Sequence, residues 1–217
     1  MSVALFLVGV PATLAILRSD IASAHVDYSD LRALIVRPKV QAAMMVQVIV
    51  FGFIGVFDAT IDRFLTDLGA STNMVAVAIM FVGAPLLILP RFAGNLAEKK
   101  GGATVMLPAL LLLIPAMLGY PFFDGIAATS AFGVLHGSGE SFSSISSQVL
   151  VLEVTGAERA AVGSALLDAA GLFTAAVAAF VSPLGYGEFG QTFFLYTAIA
   201  GPAFGVAATL RVRNAWD

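Results

Sequence analysis

The sequence contains no cysteine. That absence excludes disulfides, thiolate metal sites and cysteine nucleophiles. Charge is also scarce: Asp, Glu, Lys and Arg make up 12% of the 217 residues, about half their share in a soluble domain. Histidine occurs only at His25 and His136. No basic cluster suited to nucleic acid is present, and no P-loop or zinc motif. The space is filled by apolar residues, which reach 59% with a mean hydropathy of +0.95. The net charge of −3 says little here, because in a membrane protein the placement of charge outweighs its sum.

The apolar residues fall into seven segments: Val3–Leu17, Ala42–Phe64, Met74–Phe92, Ala103–Phe122, Gly125–Leu150, Ala160–Val181 and Thr192–Leu210. An apolar run of about 20 residues spans the hydrocarbon core as a helix. Spanning strands would instead alternate over about 10 residues. The expected fold is therefore all-α, a polytopic membrane protein of seven transmembrane helices. Pro85, Pro108, Pro115 and Pro202 are tolerable inside such helices, where neighbours satisfy the freed carbonyls. The long polar connection, 18–41, holds Asp20, His25, Asp27 and Asp30, and Leu31–Val36 within it reads either as a short surface helix or as plain linker.

Lysine and arginine placement orients the segments. Numbering the connections alternately puts Arg18, Arg32, Arg37, Lys39, Arg91, Lys99, Lys100, Arg159, Arg211 and Arg213 on one side and only Arg63 on the other. The expectation is a cell-membrane protein with a cytoplasmic C-terminus and the first segment entering from outside. Ala22-Ser23-Ala24 resembles a signal-peptide cleavage site, but the approach to it carries Arg18 and Asp20 and no basic n-region precedes it. The favoured expectation is that further helices precede the first segment.

Between the third and fourth segments runs Gly94-Asn95-Leu96-Ala97-Glu98-Lys99-Lys100-Gly101-Gly102. This resembles the loop signature G-x-L-A-D-R-x-G-R-R of the major facilitator superfamily. Gly94, Leu96, Ala97 and Gly101 match, and Glu98 and Lys99 keep the acid–base pair with changed side chains. Gly102 and Ala103 stand where the family has two basic residues. In that family the weaker copy of the signature lies between helices 8 and 9. The resemblance therefore implies that this chain runs from helix 6 to helix 12. Residues 1–17 would be helix 6, 18–41 the cytoplasmic central loop, 42–210 a six-helix transporter bundle and 211–217 a cytoplasmic tail. It also implies that the signature loop gates alternating access as a latch.

Ionisable groups at membrane depth cost about 2.5–3.5 kcal/mol on insertion scales and face a cavity or a partner. Here they are Asp58, Asp62 and Arg63 in the second segment, His136 and Glu140 in the fifth, and Asp168 in the sixth. The resemblance makes these helices 7, 10 and 11, which line the family's central cavity. His136 and Glu140 are one helical turn apart and share a face, and Ser143, Ser144 and Ser147 continue the stripe. Glu140 is the expected carrier of a coupling proton, with His136 tuning or sharing it; equally, the two form a hydrogen-bonded pair that only locks packing. Asp58, Asp168, Ser144 and Ser147 are further candidates for the cavity, while Asp62 and Arg63 read as interfacial or as part of an outer gate. Gly133, Gly137 and Gly139 predict a close helix crossing.

The expected function is secondary active transport of a small molecule, proton-coupled, by alternating access together with an N-terminal half. No enzyme activity and no cofactor are expected. The expected partners are the lipid bilayer, a small-molecule substrate and either that N-terminal half or a second half-transporter. The competing expectation is a membrane fragment that transports nothing alone. A retinal protein would need a lysine in its last span, and Thr192–Leu210 has none. An intramembrane serine protease would need serine and histidine on different helices, whereas Ser138 and His136 share one.

Overall fold

The computed structural model describes residues 28–123, 125–156 and 159–212. Among them every regular element is a helix, and no strand occurs. The elements are α1 (Tyr28–Ile35), α2 (Pro38–Asp67), α3 (Thr72–Ile88), α4 (Pro90–Lys100), α5 (Gly102–Phe122), α6 (Ile126–Thr155), α7 (Ala160–Phe189) and α8 (Thr192–Val212). The expected first span, 1–17, most of the connection after it, and 213–217 of the tail lie outside the described residues. Within that connection α1 forms a separate short helix, close to the surface helix read from Leu31–Val36.

Among the described residues three helices, α2, α5 and α7, are long and apolar enough to cross a membrane, or four spans if α3 and α4 count as one bent pair. The sequence led us to expect more. α8 holds a shorter apolar stretch, Thr192–Ala207. α6, at 30 residues, is long enough but carries His136, Glu140 and a run of serines. It packs against α2, α3, α4, α5 and α7, so much of its surface meets protein.

Local sequence explains where the helices begin and break. Pro38 opens α2 at its first turn, where the missing N–H is no loss. Pro90 does the same for α4. Without an N–H and with its ring against the preceding turn, it cannot continue α3 smoothly. The two helices meet at 44°. The signature stretch Gly94–Lys100, expected as a loop, is therefore helical, with Lys99 and Lys100 in the last turn, where cations favour the helix dipole.

The neighbour pattern repeats within α2–α8. α2 packs on α7 as α6 packs on α3 and α4; α5 packs on α6 as α8 packs on α2; and the α2–α6 and α5–α8 contacts each map onto themselves. Exchanging the first set (α2, α3 with α4, α5) for the second (α6, α7, α8) reproduces the principal neighbours. Two close backbone crossings respect this exchange. A Cβ on Gly55 of α2 would stand 2.3 Å from the Ala175 carbonyl oxygen of α7, and one on Gly137 of α6 would stand 2.1 Å from the Val82 carbonyl oxygen of α3. Only a hydrogen fits at either place, and the expected small-residue crossing at α6 is present.

Candidate functional site

α2 and α6 cross at the centre of the bundle, and their polar residues meet in three tiers. The lowest tier is built on Gln47, fully buried in an otherwise apolar stretch of α2. Its Nε2 donates to Ser144 Oγ at 3.3 Å, and its Oε1 accepts from Ser147 Oγ at 2.9 Å. Burying an amide in an apolar interior is costly unless both ends are paired, and the two α6 serines pair them. The sequence reading tied Ser144 and Ser147 to a cavity and passed over Gln47. A lone amide in an apolar run was the signal that would have found it.

The middle tier is Glu140, one turn above Ser144 and 3% exposed. It borders a cleft whose walls are Val50, Phe51 and Ile54 of α2, Leu86 and Pro90 at the α3–α4 break, and Ser141, Ser144 and Ile145 of α6. Ser141 Oγ is buried and has no hydrogen-bond partner, unlike Ser138 and Ser143, which bond back to their own helix.

The upper tier is His136, fully buried. Its Nδ1 lies 3.2 Å from the Tyr120 hydroxyl of α5. Its Nε2 lies 3.0 Å from Glu140 Oε1, within ion-pair distance, but the carboxylate is off the direction in which the ring nitrogen donates. Nε2 is thus electrostatically close to Glu140 without an aligned hydrogen bond. Phe57 presents its ring edge-on to the imidazole at 5.0 Å between centroids, and Phe53 does so at 6.4 Å. His136 therefore faces the interior of the bundle, sealed by aromatic rings, while Glu140 stands between it and the cleft. Tyr120 lay in a segment without charge and gave no sign of itself in the sequence.

The remaining candidates divide. Asp58 is exposed on α2 and lies within electrostatic range of Glu140 and His136. Asp168 is exposed on α7 and, among the described residues, has no hydrogen bond or ion pair, so it does not join the cluster. Beyond the tiers the rings of Tyr120, Phe64, Phe194 and Tyr186 continue in successive T-shaped contacts to the far end of α2. There Arg63 lies over the Tyr186 ring at 5.4 Å, and the Tyr186 hydroxyl donates to Asp67 Oδ2 at 3.0 Å.

The signature residues sit at the opposite end of α2. Ala97 is buried and Gly94 and Leu96 are half-buried, while Glu98 and Lys99 are exposed. Glu98 has no hydrogen bond or ion pair among the described residues. Gly101 takes φ +87°, a left-handed turn that favours glycine. A Cβ on Gly102 would meet the Leu150 nitrogen at 2.6 Å and the Ser146 oxygen at 2.7 Å. The position where the chain departs from the signature's basic pair is thus one with no room for a side chain. Glu153 Oε1 accepts from the Gly102 N–H at 3.1 Å, and Arg37 Nη1 donates to the Val154 carbonyl at 2.7 Å. Each charge suits the helix end it meets, an anion at the start of α5 and a cation at the end of α6.

No protein-family model matches the chain, and no curated protein sequence is similar enough to count as a relative.

Proposed function

We propose that α2–α8 form the C-terminal six-helix half of a major-facilitator-like secondary transporter, with six of the seven expected spans in the bundle and the seventh at 1–17. The observation that carries this reading is the exchange of neighbours between the two helix triplets. Short links make successive spans antiparallel, so an exchange by three positions relates helices of opposite direction. Such a relation is what the nested inverted repeat of a major facilitator half would produce, and it supports the reading. In this reading α3 and α4 are one bent span. α6 is a full span whose polarity is hidden among other helices, and α8 is the last. The basic residues then favour the cytoplasmic side at the α4–α5 turn and the C-terminus.

A facilitator cavity lies between two halves. The cleft beside Glu140 and the exposed Asp58 and Asp168 would belong to its wall, with the partner half opposite. Glu98, unpaired on α4, would serve as the latch group toward that half. The alternative of a fragment that transports nothing alone differs only in whether the partner half is present.

The chemistry at Glu140 suits proton coupling. One proton shared between His136 and Glu140 leaves the pair net neutral, whichever atom holds it. A second proton, or none, leaves a net charge among Phe53, Phe57 and Tyr120, which is costly in a low-dielectric interior. Changing occupancy by one proton therefore changes which arrangement of the bundle is favoured. The test is Glu140→Gln in the complete transporter, in vesicles carrying a pH-sensitive dye and challenged with a panel of small solutes. Loss of solute-driven proton movement with solute exchange retained is the expected result. Unchanged proton movement contradicts the assignment.

A further inference from the structure

A second groove lies along α5 beside the end of α4. Its walls are Leu96 and Lys100 of α4, Phe142 of α6 and a stripe of α5. The stripe is ordered: Thr104, Pro108 and Leu112 follow one another at intervals of four residues along α5, with Lys100 at the end of α4 beside them and Val105 and Ala109 at the floor. At 1.5 Å per residue the part of the stripe on α5, from Thr104 to Leu112, is about 12 Å long. Its polarity falls steadily, from an ammonium through a hydroxyl to hydrocarbon. Lys100 stands at the end of α4, next to the start of α5, one of the three described helices apolar enough to span; the apolar end of the groove therefore runs inward from the membrane surface.

The polar end is unspent. Lys100 is exposed and has no ion pair among the described residues, and no acidic residue lines the groove. Thr104 Oγ1 makes no hydrogen bond among the described residues. Thr60, Thr129, Thr155 and Thr174 instead return theirs to their own helices. An ammonium and a hydroxyl at the surface end of a short apolar trough match an anionic head with the first part of an attached acyl chain. Basic pockets between helices at the membrane surface select such lipids.

We infer that this groove is a binding site for an anionic glycerophospholipid, with its phosphate at Lys100 and Thr104 and one acyl chain along Pro108, Ala109, Leu112 and Phe142. The site is independent of the transport reading. It requires only that α5 lies in a bilayer.

The purified full chain in neutral detergent is mixed with phosphatidylglycerol, phosphatidylcholine or inorganic phosphate, and bound lipid is counted by native mass spectrometry. Phosphatidylglycerol is expected to be retained about fivefold more than phosphatidylcholine, the scale of one basic residue at a membrane surface, and inorganic phosphate not at all. Lys100→Gln should remove the preference. Lys99→Gln, outside the groove, should keep it. Leu112→Trp, which fills the trough, should reduce retention of both lipids while the helical circular dichroism is unchanged. Equal retention of the two lipids by the native chain, an unchanged preference in Lys100→Gln, or equal losses in Lys99→Gln and Lys100→Gln would each overturn the site. Retention of inorganic phosphate alone would do the same.

Discussion

Replacing Gly137 with alanine adds one methyl group at a place where the structure has none to spare. The new Cβ would stand 2.1 Å from the Val82 carbonyl oxygen, more than an ångström inside ordinary contact, and that obstacle is backbone. No side-chain rotation relieves it, so α3 and α6 must part. Overpacking of this kind costs about 1–3 kcal/mol. Gly55→Ala meets the Ala175 carbonyl oxygen at 2.3 Å and should cost a similar amount, since the two crossings are counterparts. Gly83→Ala is the control: nothing lies within 4 Å of its Cβ, and alanine favours a helix over glycine by up to about 1 kcal/mol. A chain of this size shifts its unfolding midpoint by about 2–4 °C per kcal/mol. The assay is thermal unfolding in one detergent, followed by helical circular dichroism. Gly137→Ala and Gly55→Ala should melt below the native chain by several degrees, and Gly83→Ala at or above it. Equal midpoints for Gly137→Ala and Gly83→Ala would refute the close crossing and the repeat built on it.

Two further outcomes follow from the polar contacts. Gln47→Leu leaves Ser144 and Ser147 without their partner in α2 and should destabilise the bundle by about 1–3 kcal/mol, read as a lower midpoint in the same unfolding assay. Glu153→Gln keeps the size of the side chain but removes the charge at the start of α5. The loss should be about 0.3–1 kcal/mol, smaller at high salt, and melting with and without added salt checks it.

The apolar runs made the helices legible, because a spanning helix needs only length and hydrophobicity to be seen. The crossing at Gly137 was legible for the same reason: glycines at short spacing in an apolar run have few other uses. The conformation of Gly94–Lys100 was not legible. A glycine- and charge-rich stretch between apolar runs reads as a loop, yet Pro90 starts a helix there and buried Ala93 and Ala97 hold it against α6. Depth along a helix could be counted from sequence, but direction around it could not. His136 and Glu140 were placed together correctly, whereas the inward turn of His136 toward Tyr120 depends on α5 lying beside α6. For the same reason Asp58 and Asp168, similar in sequence, part company in the structure. Only Asp58 shares the electrostatic environment of Glu140.

In the proposed transporter the cleft beside Glu140 opens to water between two halves. The native chain has no cysteine, so a single Ser144→Cys supplies a unique thiol on the cleft wall with little change in size. Reaction of that thiol with a membrane-impermeant maleimide is measured in intact cells and in inside-out vesicles containing the full-length protein. The account predicts labelling from at least one side, because a cavity wall meets water. A thiol that reacts from neither side, while a permeant reagent labels it in unfolded protein, would contradict it and turn the cleft toward lipid.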